Sequence, residues 1–359
     1  MVLVVLAAVA FLLLSRPESE KSPPTDNQLI TKEKDTSTTG DRPAVKKAAP
    51  EEKSPENTTG NQEKKPAGPQ VVLRVEWGEE EGKLGRSRSE EGNPEGPMAF
   101  WVGEGGEIYV LDQVNSRVQV FKDGKVVRSF ALPAVTYQDF AFDSRGRMVA
   151  LDRFVRDEAA LFDENGRPTG SVKLTGEHIA EGGLVTAVYY RPDGVWAEVN
   201  NEKLVRIADA DGKAVSPREV VPGRFSRDGR LLLSAALDGK QAAAVFVRPL
   251  SQTQEAKLLA RVEFPIPVLQ LTALESDLSG RILLAAYLAR FRETEPYDAL
   301  EQYEQVVVLA PDGQETARIN FAPRPLAEEV FHPVFITPAG VIYQMVFEER
   351  GVTFWRYAP

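Results

Sequence analysis

Beyond about residue 70, two interleaved sets of tight-turn residues leave this chain few folds to choose from. The first set is Gly105-Gly106, Ser144-Arg145-Gly146, Asp193-Gly194, Asp228-Gly229, Ser279-Gly280 and Ala339-Gly340, each between two short β-type runs. Asp, Asn and Gly tolerate the positive φ that a tight hairpin demands, so each reads as a hairpin turn. The second set falls between members of the first: Asp123-Gly124, Asn165-Gly166, Asp211-Gly212 and Asp312-Gly313, with a weaker turn near Gln252 to Gln254. Two turns per unit make four strands per unit, the first set joining strands A and B, the second C and D. A unit of about 35 to 60 residues is the size of a propeller blade. No long segment has a helical period, which excludes α/β and helical-bundle folds. The expected class is all-β, a six-bladed β-propeller over residues 70–359.

The turn count also says how the ring closes. Six A-to-B turns face only five C-to-D turns, and the chain ends after two strands, near residues 341–347 and 352–357. Before the first unit lies an orphan strand, Val71-Val72-Leu73-Arg74-Val75-Glu76-Trp77. If it supplies the outer strand of the last blade, the ring closes by hydrogen bonding and no broken blade remains. The innermost strands are expected at residues 97–102, 138–142, 184–190, 223–226, 268–274 and 331–337. Among them the only acidic residue is Asp139, and one carboxylate is a poor site for a hard cation.

The first unit carries a family resemblance. The run Gly106-Glu107-Ile108-Tyr109-Val110-Leu111-Asp112-Gln113-Val114-Asn115-Ser116-Arg117-Val118-Gln119-Val120-Phe121, followed by Gly124, resembles an NHL repeat. In the second unit, Arg147-Met148-Val149-Ala150-Leu151-Asp152 keeps the strand and its Asp but lacks the Asn-x-Arg that should come after it. The resemblance implies a six-bladed propeller of a family used for protein, carbohydrate or RNA contact, with a few enzymatic relatives. Within the motif, Asp112 and Asn115 are expected to shape the loop after strand B, and Arg117 to reach a nearby carboxylate or carbonyl.

Ahead of the propeller, residues 2–14 are all apolar and the run stops at Ser15, Arg16 and Pro17. This reads as a signal anchor, a helix of residues 1–14. At ~1.5 Å per residue it spans about 20 Å, short of the ~30 Å hydrocarbon core. No Lys or Arg precedes it, so a basic segment is expected upstream, which would place the linker and propeller outside the cytoplasm as part of a single-pass membrane protein. Residues 15–69 are rich in Pro, Lys, Glu, Thr and Asn. Such a stretch cannot offset its chain entropy and is expected to be a disordered, solvated linker.

Composition narrows the chemistry. A formal charge of −10 argues against a nucleic-acid partner. With no cysteine and only His178 and His332, thiolate sites and a three-His zinc site are impossible. No cofactor is expected and no catalytic motif appears. The expected function is a monomeric, membrane-tethered, extracytoplasmic module that binds a protein or cell-envelope polymer. The alternative is a hydrolase, lactonase or lyase of the six-bladed type with a bound divalent cation.

A ligand is expected on the face carrying the longer B-to-C and D-to-A connections. The candidates there are Arg153, Arg156, Arg290, Arg292, Tyr297, Tyr303 and Arg324. In the longest insertion, residues 289–304, the spacing of Tyr297, Leu300 and Tyr303 places all three on one face of a short helix. That face would lie over the channel mouth or pack on the neighbouring blade.

Overall fold

The computed structural model describes residues 68–88, 94–251, 255–326 and 329–359. The anchor and nearly all of the linker lie outside the described residues, as does the turn expected near Gln252 to Gln254. Among the described residues no helix is long and apolar enough to cross a membrane.

Among the described residues, twenty-four strands form six antiparallel sheets of four. Blades 1 to 5 each use four consecutive strands, and their inner strands are Ala99–Val102, Asp139–Phe142, Val185–Arg191, Arg224–Phe225 and Val268–Ser276. Blade 6 has Val334–Ile336 innermost, then Ile342–Glu348 and Gly351–Tyr357, and its fourth strand is Gln70–Glu76 from the other end of the domain. That strand pairs antiparallel with the last one from Gln70 opposite Arg356 to Glu76 opposite Gly351. Leu73 and Val75 are buried with Phe100, Met345, Phe347 and Phe354, so closure joins hydrogen bonding to apolar burial.

Burial grades across each blade as sheet-on-sheet packing requires. The second strands Met148–Asp152 and Gly194–Val199 are buried at every position, whereas the outermost strands Lys125–Ala131 and Glu315–Asn320 are mostly exposed. Turn chemistry holds the hairpins tight. Gly194 has φ of 137° and an added Cβ would overlap the Ala208 carbonyl oxygen, so only glycine fits there.

Two expectations need correction. Residues 289–304 are not helical: Ile282–Phe291 and Ala299–Leu309 extend as one long hairpin, paired from Ile282 opposite Leu309 to Phe291 opposite Ala299. A strand repeats every two residues, so positions three apart face opposite ways. Tyr303 packs on the blade 5 core, while Tyr297 and Leu300 are exposed. The ladder continues because it satisfies the backbone of both arms at once. In the same blade the inner strand runs to Ser276, two residues further than expected, so Glu275 joins Asp139 as an inner-strand acid.

Candidate functional site

The six inner strands enclose a cavity of about 1170 Å³. At one end its lining reaches the tight A-to-B turns, through Glu104, Arg145, Pro192, Arg227 and Pro338. It also runs outward between blades 1 and 2 past Arg128, Phe130 and Glu164. At the end of the longer loops the lining is Arg153, Val330, Phe331 and His332. The connection into blade 6 lies across this end: the backbone N–H groups of Phe331 and His332 both donate to Met98 O in blade 1, and the His332 ring reaches blade 2.

The walls differ in chemistry. On blades 6, 1 and 2 the half-buried rings of Phe335, Trp101, Phe142 and Tyr109 form a continuous aromatic surface. Ring centroids lie 4.8 Å apart for Trp101 and Phe335, 6.0 Å for Trp101 and Phe142, and 4.8 Å for Tyr109 and Phe142. Blades 3 to 5 present Thr186, Tyr189, Arg224, Arg227, Gln270, Thr272 and Glu275.

Two charged pairs organise the polar side. The fully buried Glu198 takes a forked contact from Arg224, with Nη2 to Oε2 at 2.8 Å. Arg224 also donates to Asn201 Oδ1 at 2.9 Å and to Leu274 O at 3.0 Å, and so ties blades 3, 4 and 5. Burial works against its charge, yet Glu198 outweighs it and lifts the guanidinium above its ordinary range. Burial likewise pushes the Tyr189 phenol well up. Both groups keep their protons at neutral pH.

The second pair is Asp139 and His332. Asp139 Oδ1 lies 2.8 Å from His332 Nδ1, and Oδ2 accepts the Val188 N–H at 3.0 Å. One carboxylate thus joins blade 2, blade 3 and the connection into blade 6. Burial opposes charge on His332, but Asp139 outweighs it and raises the imidazole above its usual value of 6.5. A folded-state value above the unfolded one makes the pair's stabilisation fully present below about pH 6.5 and lost as pH rises through the raised value. The expected result is that His332→Gln lowers the melting temperature more near pH 6 than near pH 9. A decrement that is constant across this range would show that the pair does not titrate as described.

Of the residues expected to bind ligand, only Arg153 lines the cavity. Its guanidinium donates to Val185 O at 2.8 Å and stacks over Phe154 and Phe331 at 4.4 and 4.6 Å, and burial lowers its pKa. Arg156 pairs with Glu158 at 3.3 Å beside the loop before the strand Glu158–Phe162, and Arg290 with its cross-strand partner Glu301 at 2.9 Å near the end of the long blade 5 hairpin. Arg292 and Tyr297 belong to the tip of the blade 5 hairpin, where Arg292 N donates to Asp298 O. Arg324 pairs with Glu304 at 2.8 Å, and Tyr303 is packed into its blade. These side chains are spread over blade 2, blade 5 and the connection after it. Reasoning from loop length overlooked Trp101, Phe142, Arg224 and His332, although all four fall within the expected inner strands. The inward-facing alternate positions of those strands were the available signal.

Fold and cavity together define the class: a six-bladed β-propeller with an open site at the axis of its inner strands. No protein-family model matches the sequence, and no curated protein matches it either. Among solved structures, one titled streptogramin B lyase structure shares 11% identity over 76% of this chain and 86% of its own, with a TM-score of 0.42. A member of the DUF4221 family from Bacteroides vulgatus shares 10% identity over 81% of this chain and 99% of its own, at 0.45. A protein of unknown function from Bacteroides caccae shares 12% over 66% and 84%, at 0.40. The fold assignment itself rests on the sheet topology described above.

Proposed function

We propose that this chain is a non-enzymatic binding module that takes part of a protein or cell-envelope partner into the axial cavity. The observation that carries this reading is the contrast between the walls. Half-buried aromatic rings are available on one side, while Arg224 and Glu198 on the other are held by each other and by neighbours rather than left free to react. The motif of Asp112, Asn115 and Arg117 supports an NHL-type propeller. The apolar run at residues 2–14 and the polar stretch after it support tethering to a membrane on the extracytoplasmic side, with the propeller monomeric.

The pair of Asp139 and His332 favours the second reading, a hydrolase or lyase, because a carboxylate-held imidazole is the arrangement of a general base. Among the described residues no three His, Asp or Glu side chains converge to hold a metal ion.

Site-specific photocrosslinking of the full chain in cells tests the binding reading. A benzoylphenylalanine at Glu104, on the cavity mouth, is expected to give a discrete adduct of higher mass, and one at Tyr297, on the long-loop face, none. The opposite pattern would move the site to the long-loop face, and adducts at neither position would overturn the module reading.

A further inference from the structure

Three consecutive blades place an arginine at the cavity mouth, at the end of the inner strand or within three residues of it: Arg145 in blade 2, Arg191 in blade 3 and Arg227 in blade 4, all lining the same cavity. The acids beside them are occupied. Asp143 accepts the N–H groups of Arg145 and Arg147, each at 2.9 Å, and pairs with Arg147 Nε at 2.8 Å rather than with Arg145. Asp228 accepts the Ser226 hydroxyl at 2.6 Å and the Arg230 N–H at 3.1 Å. Asp193 and Glu275 sit 3.5 and 3.7 Å from Arg191 and Arg227, too far for hydrogen bonds of full strength.

Arg227 donates to Ile336 O at 2.6 Å, whereas the other two arginines are undersubscribed. Among the described residues the Arg145 side chain is exposed and makes no hydrogen bond or ion pair, and the Arg191 guanidinium donates no hydrogen bond to protein. Arg191 is held by stacking, with its guanidinium carbon 3.9 Å from the centroid of Phe225. On a chain of formal charge −10, guanidinium donors left open at a cavity mouth are the unusual feature. Guanidinium forks match carboxylate, sulfonate and phosphate oxygens.

Facing this arc is the aromatic wall of Phe335, Trp101 and Phe142. Flat rings prefer offset or edge-on contact with such a surface. The cavity, about 1170 Å³, exceeds the ~300–1000 Å³ of typical small-molecule sites, so a ring system fits together with its substituents.

We propose that the moiety bound in this cavity is a flat apolar ring system bearing an anionic group. Its ring lies on Trp101, Phe142 and Phe335, and its anion is held by Arg145 and Arg191. This rests on the binding-module reading and names the chemistry of the group that enters.

The test uses two dyes of similar ring size on the full chain. The anionic probe is 8-anilinonaphthalene-1-sulfonate, and the neutral one is N-phenyl-1-naphthylamine. Calorimetry should give one saturable site for the anionic dye. Arg145→Gln, which removes a side chain with no protein partner, and Arg191→Gln should together weaken that dye about tenfold or more while shifting the neutral dye by less than about twofold. Trp101→Leu should weaken both. If both dyes depend on Trp101 but neither responds to the arginine changes, the anionic class is wrong and the cavity reading stands. If neither responds to Trp101→Leu, the inference and the cavity reading both fall.

Discussion

Replacing Asp112 with alanine is expected to lower the unfolding free energy by about 3–5 kcal/mol, the scale on which removing one partner of a buried ion pair acts. Asp112 is fully buried. Its Oδ1 accepts the Gly85 N–H at 2.7 Å, and its Oδ2 takes Arg117 Nε at 2.8 Å and Asn115 Nδ2 at 2.9 Å. Arg117 in turn donates to the carbonyls of Glu80 and Lys83, each at 2.9 Å. The carboxylate therefore does more than shape its own loop: it fastens the segment after the closing strand onto blade 1. Without it, an Arg117 side chain only 14% exposed keeps its charge and loses its counterion. Asp112→Asn should cost less, since it retains an acceptor, and Arg117→Leu should recover part of the loss in the double variant. Urea unfolding at neutral pH measures all three, and a loss below about 1 kcal/mol for Asp112→Ala would sink the argument.

Deleting Gln70–Glu76 is expected to do more damage. The deletion removes two buried side chains, Leu73 and Val75, for which truncation alone costs about 1–4 kcal/mol each. It also strips a whole ladder from Gly351–Tyr357 and leaves that strand as a bare edge ready to pair with another molecule. The deleted protein should melt more than about 10 °C below the parent and migrate as oligomers on size exclusion, with partial rescue by a synthetic peptide of residues 70–77. An unchanged melting temperature and a monomeric profile would mean that the last blade stands without its fourth strand.

Much of the architecture was legible because turn chemistry is local. Asp193-Gly194 or Asp312-Gly313 needs only its own φ angles to make a hairpin, so the order of such pairs counted the blades and exposed the missing strand before any contact was known. The insertion in blade 5 was not legible in the same way. Tyr297, Leu300 and Tyr303 are spaced as on a helix, and only pairing of Ala299–Leu309 with Ile282–Phe291, a tertiary fact, overrides that spacing.

The site divides along the same line. Trp101, Phe142 and Arg224 could be placed on inner strands from the sequence, while His332, expected on the inner strand of blade 6, lies in the connection just before it, and strand assignment does not say which groups meet. That His332 reaches Asp139 across 193 positions of sequence, or that Arg224 meets Glu198 in the neighbouring blade, depends on the ring bringing distant strands to one axis. The sequence by itself determined the blade count and the order of strands, because these depend on turn chemistry within a few residues, and the turn count left residues 71–77 as the candidate to close the last blade. Only the tertiary structure decided that the axis, rather than the longer loops, gathers aromatic and guanidinium groups around one cavity, because such convergence is a property of closure and is carried by no single segment.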